Sequence, residues 1–299
     1  MRAVLASVLF MLVMNASAQV TLSFNPEIGT KYEYYTEITQ SVRTTVMGQE
    51  IMAEIMTGTM FLMEISDKSE QETTALFTFN EISYVVSSLY MKMVYDSKNP
   101  NENQSDIDLM LSKMFNEMLG KSFTALIASD GSVKSISGME AIGKSMSNAV
   151  ANDGQMIAQL GAQMKEQFND TAMKNILETS FKIYPTTPVR TGNSWDIENS
   201  TTINNLKVVY RSKYTLRSVS RNIATVVVDS KIEMNTDSGA TEAGDMSGSQ
   251  KGTMTIDTRT GMPVTSEMSG NLQGVIRAAG MDAQMVVETK SKSSLKIVE

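Results

Sequence analysis

The sequence contains no histidine and no cysteine, and these two absences limit the chemistry that the chain can perform. Ser-His-Asp and Cys-His nucleophilic catalysis, the usual zinc ligand sets, and haem or iron–sulfur ligation by these side chains are all excluded. Disulfides are excluded too, so the fold must be stabilised by a buried core. A chain of 299 residues is long enough to build one.

Runs of lysine or arginine and the glycine-rich phosphate-binding motifs are also missing. The formal net charge is -7, so nucleic acid is not an expected partner. The 33 acidic residues could supply paired carboxylates, but no pair is distinguished by its surroundings. An SxxK spacing at Ser293–Lys296 lacks the companion motifs of a serine–lysine enzyme. We therefore predict a non-enzymatic protein with no cofactor and no metal site.

Long apolar runs are absent except near the N-terminus. There Arg2 is followed by the apolar run Ala3–Met14 and by the small-residue stretch 16–18. This pattern is typical of a secretory signal peptide over residues 1–18, cleaved after Ala18, because the run is far shorter than the roughly 20 residues that span a bilayer. Bacterial lipid anchoring would need a cysteine just after the signal. We expect an exported protein, periplasmic or extracellular, that is soluble after cleavage.

The first part of the chain has the patterns of β-strands. Residues 31–40 alternate apolar and polar side chains with period two, as a half-buried strand requires. The runs 61–65, 75–79 and 89–95 are rich in aromatic and branched residues and are separated by polar turns. This succession predicts an antiparallel meander.

The middle of the chain has the patterns of α-helices. The first helix begins at Ser105, which forms a capping-box pattern with Asp108, and it ends at Gly120. Three weaker amphipathic segments follow over residues 139–183, and Pro185 ends the region. The helices are thus gathered between two strand-rich parts.

A hairpin pattern occurs twice. Residues 121–138 contain a strand, a turn with Gly131, and a second strand, and a degenerate copy returns at residues 251–270 with Gly261 at the turn. Each half of the chain also opens with a glycine and an aromatic residue and continues as a meander. We interpret the chain as two related β halves; a chance likeness between two ordinary hairpins is the alternative.

The strand patterns return after Gly192 and are interrupted by the polar segment 236–250, which we predict to be a loop. Together the patterns predict an α+β protein, mainly antiparallel β. Two meander halves form a curved sheet or open barrel, and the central helices pack on its concave side. We predict a single domain over residues 19–299. It consists of two β halves, at about 19–135 and 190–299, joined by a helical insert at about 136–184.

A set of turn and strand-start residues is similar to those of a known family. The set comprises Pro185, Pro188, Val189, Gly192–Trp195, Asp130–Val133 and Gly138–Glu140. These residues resemble the marks of a domain-of-unknown-function family of exported bacterial proteins, which implies no established activity. Many members of that family are lipoproteins, and this chain departs from them because it lacks the anchoring cysteine. The expected architecture is also similar to open half-barrels that carry lipids or lipoproteins across the periplasm.

Methionine is abundant, with 25 residues in the chain. Thioether sulfur is a soft ligand, so one interpretation is a copper(I) site at Met52, Met56 and Met60 or at Met91 and Met93. The favoured interpretation is that methionine fills irregular apolar space, because its flexible side chain adapts to varied shapes.

The last prediction concerns a pliable cavity between the first helix and the strand before it. The candidate lining residues are Leu89, Met91, Met93, Tyr95, Met110, Met114, Phe115 and Met118. Adaptable apolar surfaces of this kind suit hydrophobic ligands. We predict an exported cell-envelope protein that binds a hydrophobic molecule, such as a lipid, between sheet and helices. The alternative is a structural or protein-interaction module with a filled core, since a sheet covered by an amphipathic helix has the same pattern.

Overall fold

The computed structural model describes residues 19–99, 105–203, 206–236, 244–278 and 281–298. The predicted signal peptide, 1–18, lies outside the described residues. Within these ranges the chain forms twelve strands and four helices. The strands are β1 (Lys31–Val46), β2 (Gln49–Lys68), β3 (Glu72–Ser88), β4 (Lys92–Asp96), β5 (Ser122–Ala128), β6 (Val133–Ser137), β7 (Ser194–Ile203), β8 (Leu206–Ser220), β9 (Ile223–Thr236), β10 (Gly244–Asp257), β11 (Pro263–Ala278) and β12 (Met281–Val298). The helices are α1 (Asp106–Asn116), α2 (Met139–Ala149), α3 (Gln155–Gln167) and α4 (Asp170–Phe181).

The strands form one antiparallel sheet. Its order is β6-β5-β3-β2-β1-β12-β11-β10-β9-β8-β7, and β4 pairs with β3 beside this path. The chain's first and last strands therefore pair in the middle of the sheet, and each half runs outwards from them towards an edge. The prediction of a mainly antiparallel α+β fold built from meanders is confirmed.

The sheet is curved towards the helices. Helix α4 contacts both β6 and β7, although these strands are the two ends of the strand order. One helix can touch both only if the sheet bends round it. The Phe181 ring of α4 lies 6.1 Å from Tyr34 and 6.5 Å from Phe77, which places the helices on the face that we call the inner face. The prediction that the central helices pack on the concave side is confirmed.

Glycines on the inner face permit part of this curvature. On β10 and β11 a Cβ atom at Gly248 would overlap the carbonyl oxygen of Asn271, and one at Gly274 would overlap that of Asp245. The neighbouring backbones thus approach more closely than any side chain allows. Glycine within a strand typically marks such a bend.

The two hairpins identified from the sequence both form, as β5–β6 and β10–β11. Gly131 and Gly261 adopt positive φ angles of 81° and 70° at the turns. The N-terminal segment lies between them, since the Phe24 N–H donates to the carbonyl oxygen of Ser129 and the Asn25 N–H to that of Thr260, both at 2.8 Å.

Both halves also begin with the same backbone arrangement. The Gly29 N–H donates to the carbonyl oxygen of Ile65 at 2.8 Å, and the Gly192 N–H donates to that of Leu216 at 2.7 Å. In return, the N–H of Ile65 and that of Leu216 each donate to the carbonyl oxygen of the residue after the glycine, both at 3.0 Å. A β-bulge follows Ile65 in β2 and Leu216 in β8. That the halves are related copies stays a prediction.

The helices form where capping and periodicity predict them. The Ser105 hydroxyl accepts from the Asp108 N–H at 3.2 Å, and the Asp108 carboxylate accepts from the Ser105 N–H at 3.0 Å, which completes the capping box. Gly154 and Asn169 separate α2, α3 and α4. None of the described helices is long and apolar enough to cross a bilayer.

Two predicted boundaries are wrong. The segment 236–250 was expected to be a loop, but β10 already begins at Gly244 and pairs with β9 and β11; residues 237–243 lie outside the described residues. The small polar residues of 244–250 have low strand propensity, but pairing on both sides overrides it. The strand predicted to begin at Leu89 begins at Lys92, because residues 88–91 form the turn after β3.

Candidate functional site

The helix residues predicted to line a cavity are packed against the sheet. Met110, Met114, Phe115 and Met118 are at most 4% exposed and belong to the main core. The Phe115 ring lies 5.0 Å from Tyr95 and 5.7 Å from Tyr84 on the inner face. These side chains fill the space between α1 and the sheet. Their role in lining a ligand site stays a prediction.

The strand residues of the same set are divided between two environments. Met93 and Tyr95 lie on the inner face of β4, and the Tyr95 hydroxyl donates to Asn116 Oδ1 at 2.8 Å. Leu89 is 85% exposed and Met91 is 41% exposed, both in the β3–β4 turn. The structure therefore does not bring Leu89 and Met91 to the other six, because the turn directs them to solvent.

The inner face continues beyond the helices, and that part of it carries no charge among the described residues. Side chains of residues paired across antiparallel strands share a face, so the register assigns each residue to one side. On β1, β7 to β12 and residues 49–65 of β2, none of the described inner-face residues is Asp, Glu, Lys or Arg. The outer face of these strands carries their charged residues and cross-strand ion pairs, such as Lys251–Asp229 and Arg277–Asp282.

A row of neutral residues crosses the inner face, and all of them except Gly270 have hydrogen-bonding side chains. We call it the neutral row; it comprises Ser212, Ser230, Gln250, Gly270, Thr289 and Gln40, each paired with the next. The buried hydroxyls of Ser212 and Ser230 are 2.7 Å apart. On one side of the row lies the helix-covered core.

Two rows of mainly apolar side chains lie on the other side. We call them the apolar belt, made of Tyr210, Ile232, Leu272, Val287 and Val42 in the row nearer the neutral row, and Val208, Met234, Met246, Met285 and Ile51 in the next. Val208 and Met246 are buried but lie outside the main core cluster. Ile51 at the other end is 40% exposed. The belt is thus a second apolar surface, half-open to solvent.

Two tyrosines of the inner face stay uncharged well above neutral pH. Burial raises the pKa of Tyr210, and it raises the pKa of Tyr214 to about 12. Tyr214 stacks on Trp195 with ring centroids 5.7 Å apart, where the inner face meets the core. Near neutral pH both tyrosines are therefore uncharged.

A groove of about 530 Å³ opens at the covered end of the sheet, among the N-terminal segment, the β10–β11 turn and the end of β12. Tyr32 and Leu295 contribute apolar surface, whereas Glu27, Asp257 and Arg259 contribute charges. The Arg259 guanidinium, 2.7 Å from the Asp257 carboxylate, holds the pKa of that carboxyl below its usual value. This groove is more polar than the apolar belt.

The three methionines of β2 that were considered as copper ligands do not converge. Met52, Met56 and Met60 alternate with other residues on the outer face of β2, and four residues along a strand span roughly 13 Å. One ion cannot contact sulfurs at such spacing. Among the described residues there is also no group of three or more Asp or Glu that could hold a metal ion.

The strand register that forms the belt cannot be read from the sequence. One signal in the sequence does indicate an uncharged face, namely the alternation of uncharged positions within a strand. Alternate positions of single strands, such as Thr36, Ile38, Gln40 and Val42, are uncharged, whereas Glu37 and Arg43 lie between or beside them. That pattern indicates one uncharged face but does not say which strands share it.

These features define an α+β protein with one open, curved antiparallel sheet, whose inner face is covered by helices at one end and half-exposed at the other. The chain belongs to DUF6263, a family of unknown function whose model matches residues 70–263. The predicted membership of a domain-of-unknown-function family is confirmed.

Several solved structures are similar at low scores. Lipovitellin, in a structure describing lipid–protein interactions, matches with a TM-score of 0.45 and 9% identity over 90% of this chain, which spans only 25% of the lipovitellin chain. Pseudomonas aeruginosa OccK7 matches with a TM-score of 0.25 and 6% identity, over 91% of this chain and 100% of the OccK7 chain. An outer membrane channel of Pseudomonas putida F1 matches with a TM-score of 0.23 and 6% identity, over 91% of this chain and 98% of the channel's chain. No curated protein matches the sequence. Such scores establish neither a shared fold nor a shared ligand.

Proposed function

We propose that the protein is an exported, non-enzymatic protein of the cell envelope that binds a lipid by its acyl chain on the apolar belt. The observation that carries this proposal is the contrast between the two faces of the same strands. Beside the helix-covered core the inner face is uncharged and its belt is mainly apolar, whereas the outer face carries the ion pairs. A sheet face that met only water would have no need of that segregation.

The dimensions of the belt suit an acyl chain. It runs over seven neighbouring strands, β8 to β2 through β12 and β1, and strands about 4.8 Å apart give a width of roughly 29 Å. One acyl chain occupies roughly 15 Å, half the hydrocarbon thickness of a bilayer. Each buried methylene contributes about 0.8 kcal/mol, so a chain of ordinary length can offset the cost of binding.

Export and the absence of catalysis belong to the same proposal. The signal-peptide pattern of residues 1–18 supports export, and the absence of histidine and cysteine supports a binding role. The space between α1 and the sheet is already filled, so we place the ligand on the belt beside the helices.

The first test is whether lipid accompanies the protein. We expect native mass spectrometry of protein purified gently from its own envelope to show a retained lipid. Purified protein that carries none would count against the proposal and favour a structural or protein-interaction module.

A matched pair of variants tests the location. Val287 lies on the inner face of β12 within the belt, and Val286 lies on the outer face beside it. We expect Val287→Glu to weaken binding of a fluorescent acyl-chain probe by about tenfold or more, because the carboxylate must be desolvated against the chain. Val286→Glu adds the same charge and should leave binding unchanged. Equal effects of the two substitutions would contradict a site on the inner face.

A further inference from the structure

Asn199 has a buried acceptor atom without a donor. It lies on the inner face of edge strand β7, directly opposite Tyr210 in the apolar belt. The residue is 6% exposed, and its Oδ1 accepts no hydrogen bond from any residue that the structure describes. Buried polar side chains in native proteins nearly always have a partner, because an unpaired amide loses its hydrogen bonds to water without replacement. The atom therefore indicates a donor that binds there.

The surroundings limit what that donor can belong to. Ser212 and Ser230, in the adjacent neutral row, bond to each other at 2.7 Å. No described inner-face residue of β1 or β7 to β12 is Lys or Arg, so a phosphate or carboxylate bound here would lose water without gaining a counter-charge. An ammonium group would likewise find no carboxylate. The chemistry of the site suits a neutral group.

We propose that Asn199 accepts a hydrogen bond from the hydroxyl or amide N–H of a neutral lipid whose acyl chain lies on the apolar belt. This inference rests on the proposed function and specifies its ligand class: an uncharged lipid with a donor close to its acyl chain, such as a monoacylglycerol. Sites built to pair with a ligand's donor reject an analogue that lacks it, because their own polar group is then left unpaired.

The test compares two probes with the same acyl chain. Monooleoylglycerol has free hydroxyls, and methyl oleate has an ester and no donor. Trp195, the only tryptophan, lies on the same face of β7 and reports binding by its fluorescence. We expect the full-length mature protein to bind monooleoylglycerol about tenfold more tightly than methyl oleate.

Variants then assign the preference to one residue. In Asn199→Leu, of similar size, the two dissociation constants should converge, while methyl oleate binds at least as well as before. Ser200→Ala, on the outer face of the same strand, is the control and should retain the preference. Without ligand, the urea midpoint of Asn199→Leu should not fall, because the buried Oδ1 has no partner among the described residues to lose.

The outcomes separate this inference from the proposal beneath it. Equal binding of both probes by the unaltered protein, a preference that persists in Asn199→Leu, or a lowered urea midpoint for that variant would overturn the role of Asn199 and leave acyl-chain binding intact. Binding of neither probe would overturn both.

Discussion

The covered and the open ends of the sheet have inner faces of the same polarity but different side-chain size. At the covered end Phe61, Phe77, Phe79 and Phe123 pack together, with Phe77 and Phe123 stacked at 5.2 Å. At the open end glycines such as Gly248 alternate with aliphatic residues, and no described helix residue belongs to the belt. The comparison shows that absence of charge alone does not make a core. Large side chains and helices close one end, and small residues with a tight bend leave the other accessible.

The largest expected effect separates the two ends by stability. Phe77 is fully buried, so we expect Phe77→Ala to lower the free energy of unfolding by about 3–5 kcal/mol. Leu272 is half-buried in the belt, and Leu272→Ala should cost only about 1 kcal/mol. Urea unfolding measures both. Similar losses at the two positions would show that the belt is part of the closed core.

A smaller effect tests the bend. Gly248→Val would place a side chain against the backbone of Asn271, and we expect a loss of about 1–3 kcal/mol. The control is Ser247→Val on the exposed outer face of the same strand, which should be nearly neutral or slightly stabilising because valine favours strands. If Gly248→Val behaves like the control in urea unfolding, the curvature does not depend on glycine.

The smallest effect concerns α1, the helix that covers Tyr84 and Tyr95. Burial of the Asp108 carboxylate opposes its ionisation, but the N–H groups of Val94 and Ser105 and the Ser105 hydroxyl outweigh burial and lower its pKa. We expect Asp108→Asn to cost about 1 kcal/mol near pH 7, since hydrogen bonds to a carboxylate are lost or weakened.

The pH dependence of that variant follows from the sign of the shift. The pKa of Asp108 is lower in the folded state than the unfolded value of about 3.9, so ionisation of this carboxyl stabilises the fold. That stabilisation is fully present above the unfolded pKa and is lost as the pH falls through the folded pKa. The difference in free energy of unfolding between the unaltered protein and Asp108→Asn should therefore shrink between pH about 5 and about 2. Asp106→Asn, exposed in the same helical turn, is the control for losing one negative charge. A constant difference across this range would refute the capping role of the Asp108 carboxylate.

Much of the fold was predictable, because its signals are local. The alternation in 31–40 and the capping box at Ser105 depend on residues only a few positions apart, and both hairpin turns depend on a glycine with positive φ. Strand lengths were underestimated, since β1 to β3 continue past their apolar runs into residues that are half-buried on the inner face. Of the candidate site, the sequence predicts only that its surface is apolar, and not where in the fold it lies.

The sequence by itself determined which chemistry is impossible without histidine and cysteine, where most strands and helices lie, and that strands such as β1 have one uncharged face. The tertiary structure alone decided that those faces align into one surface. Gln40 meets Thr289 only because β1 and β12 pair from opposite ends of the chain, and Asn199 meets the belt only through the register of β7 with β8. Such pairings depend on contacts between distant segments, where a shift of one residue would turn every side chain to the other face.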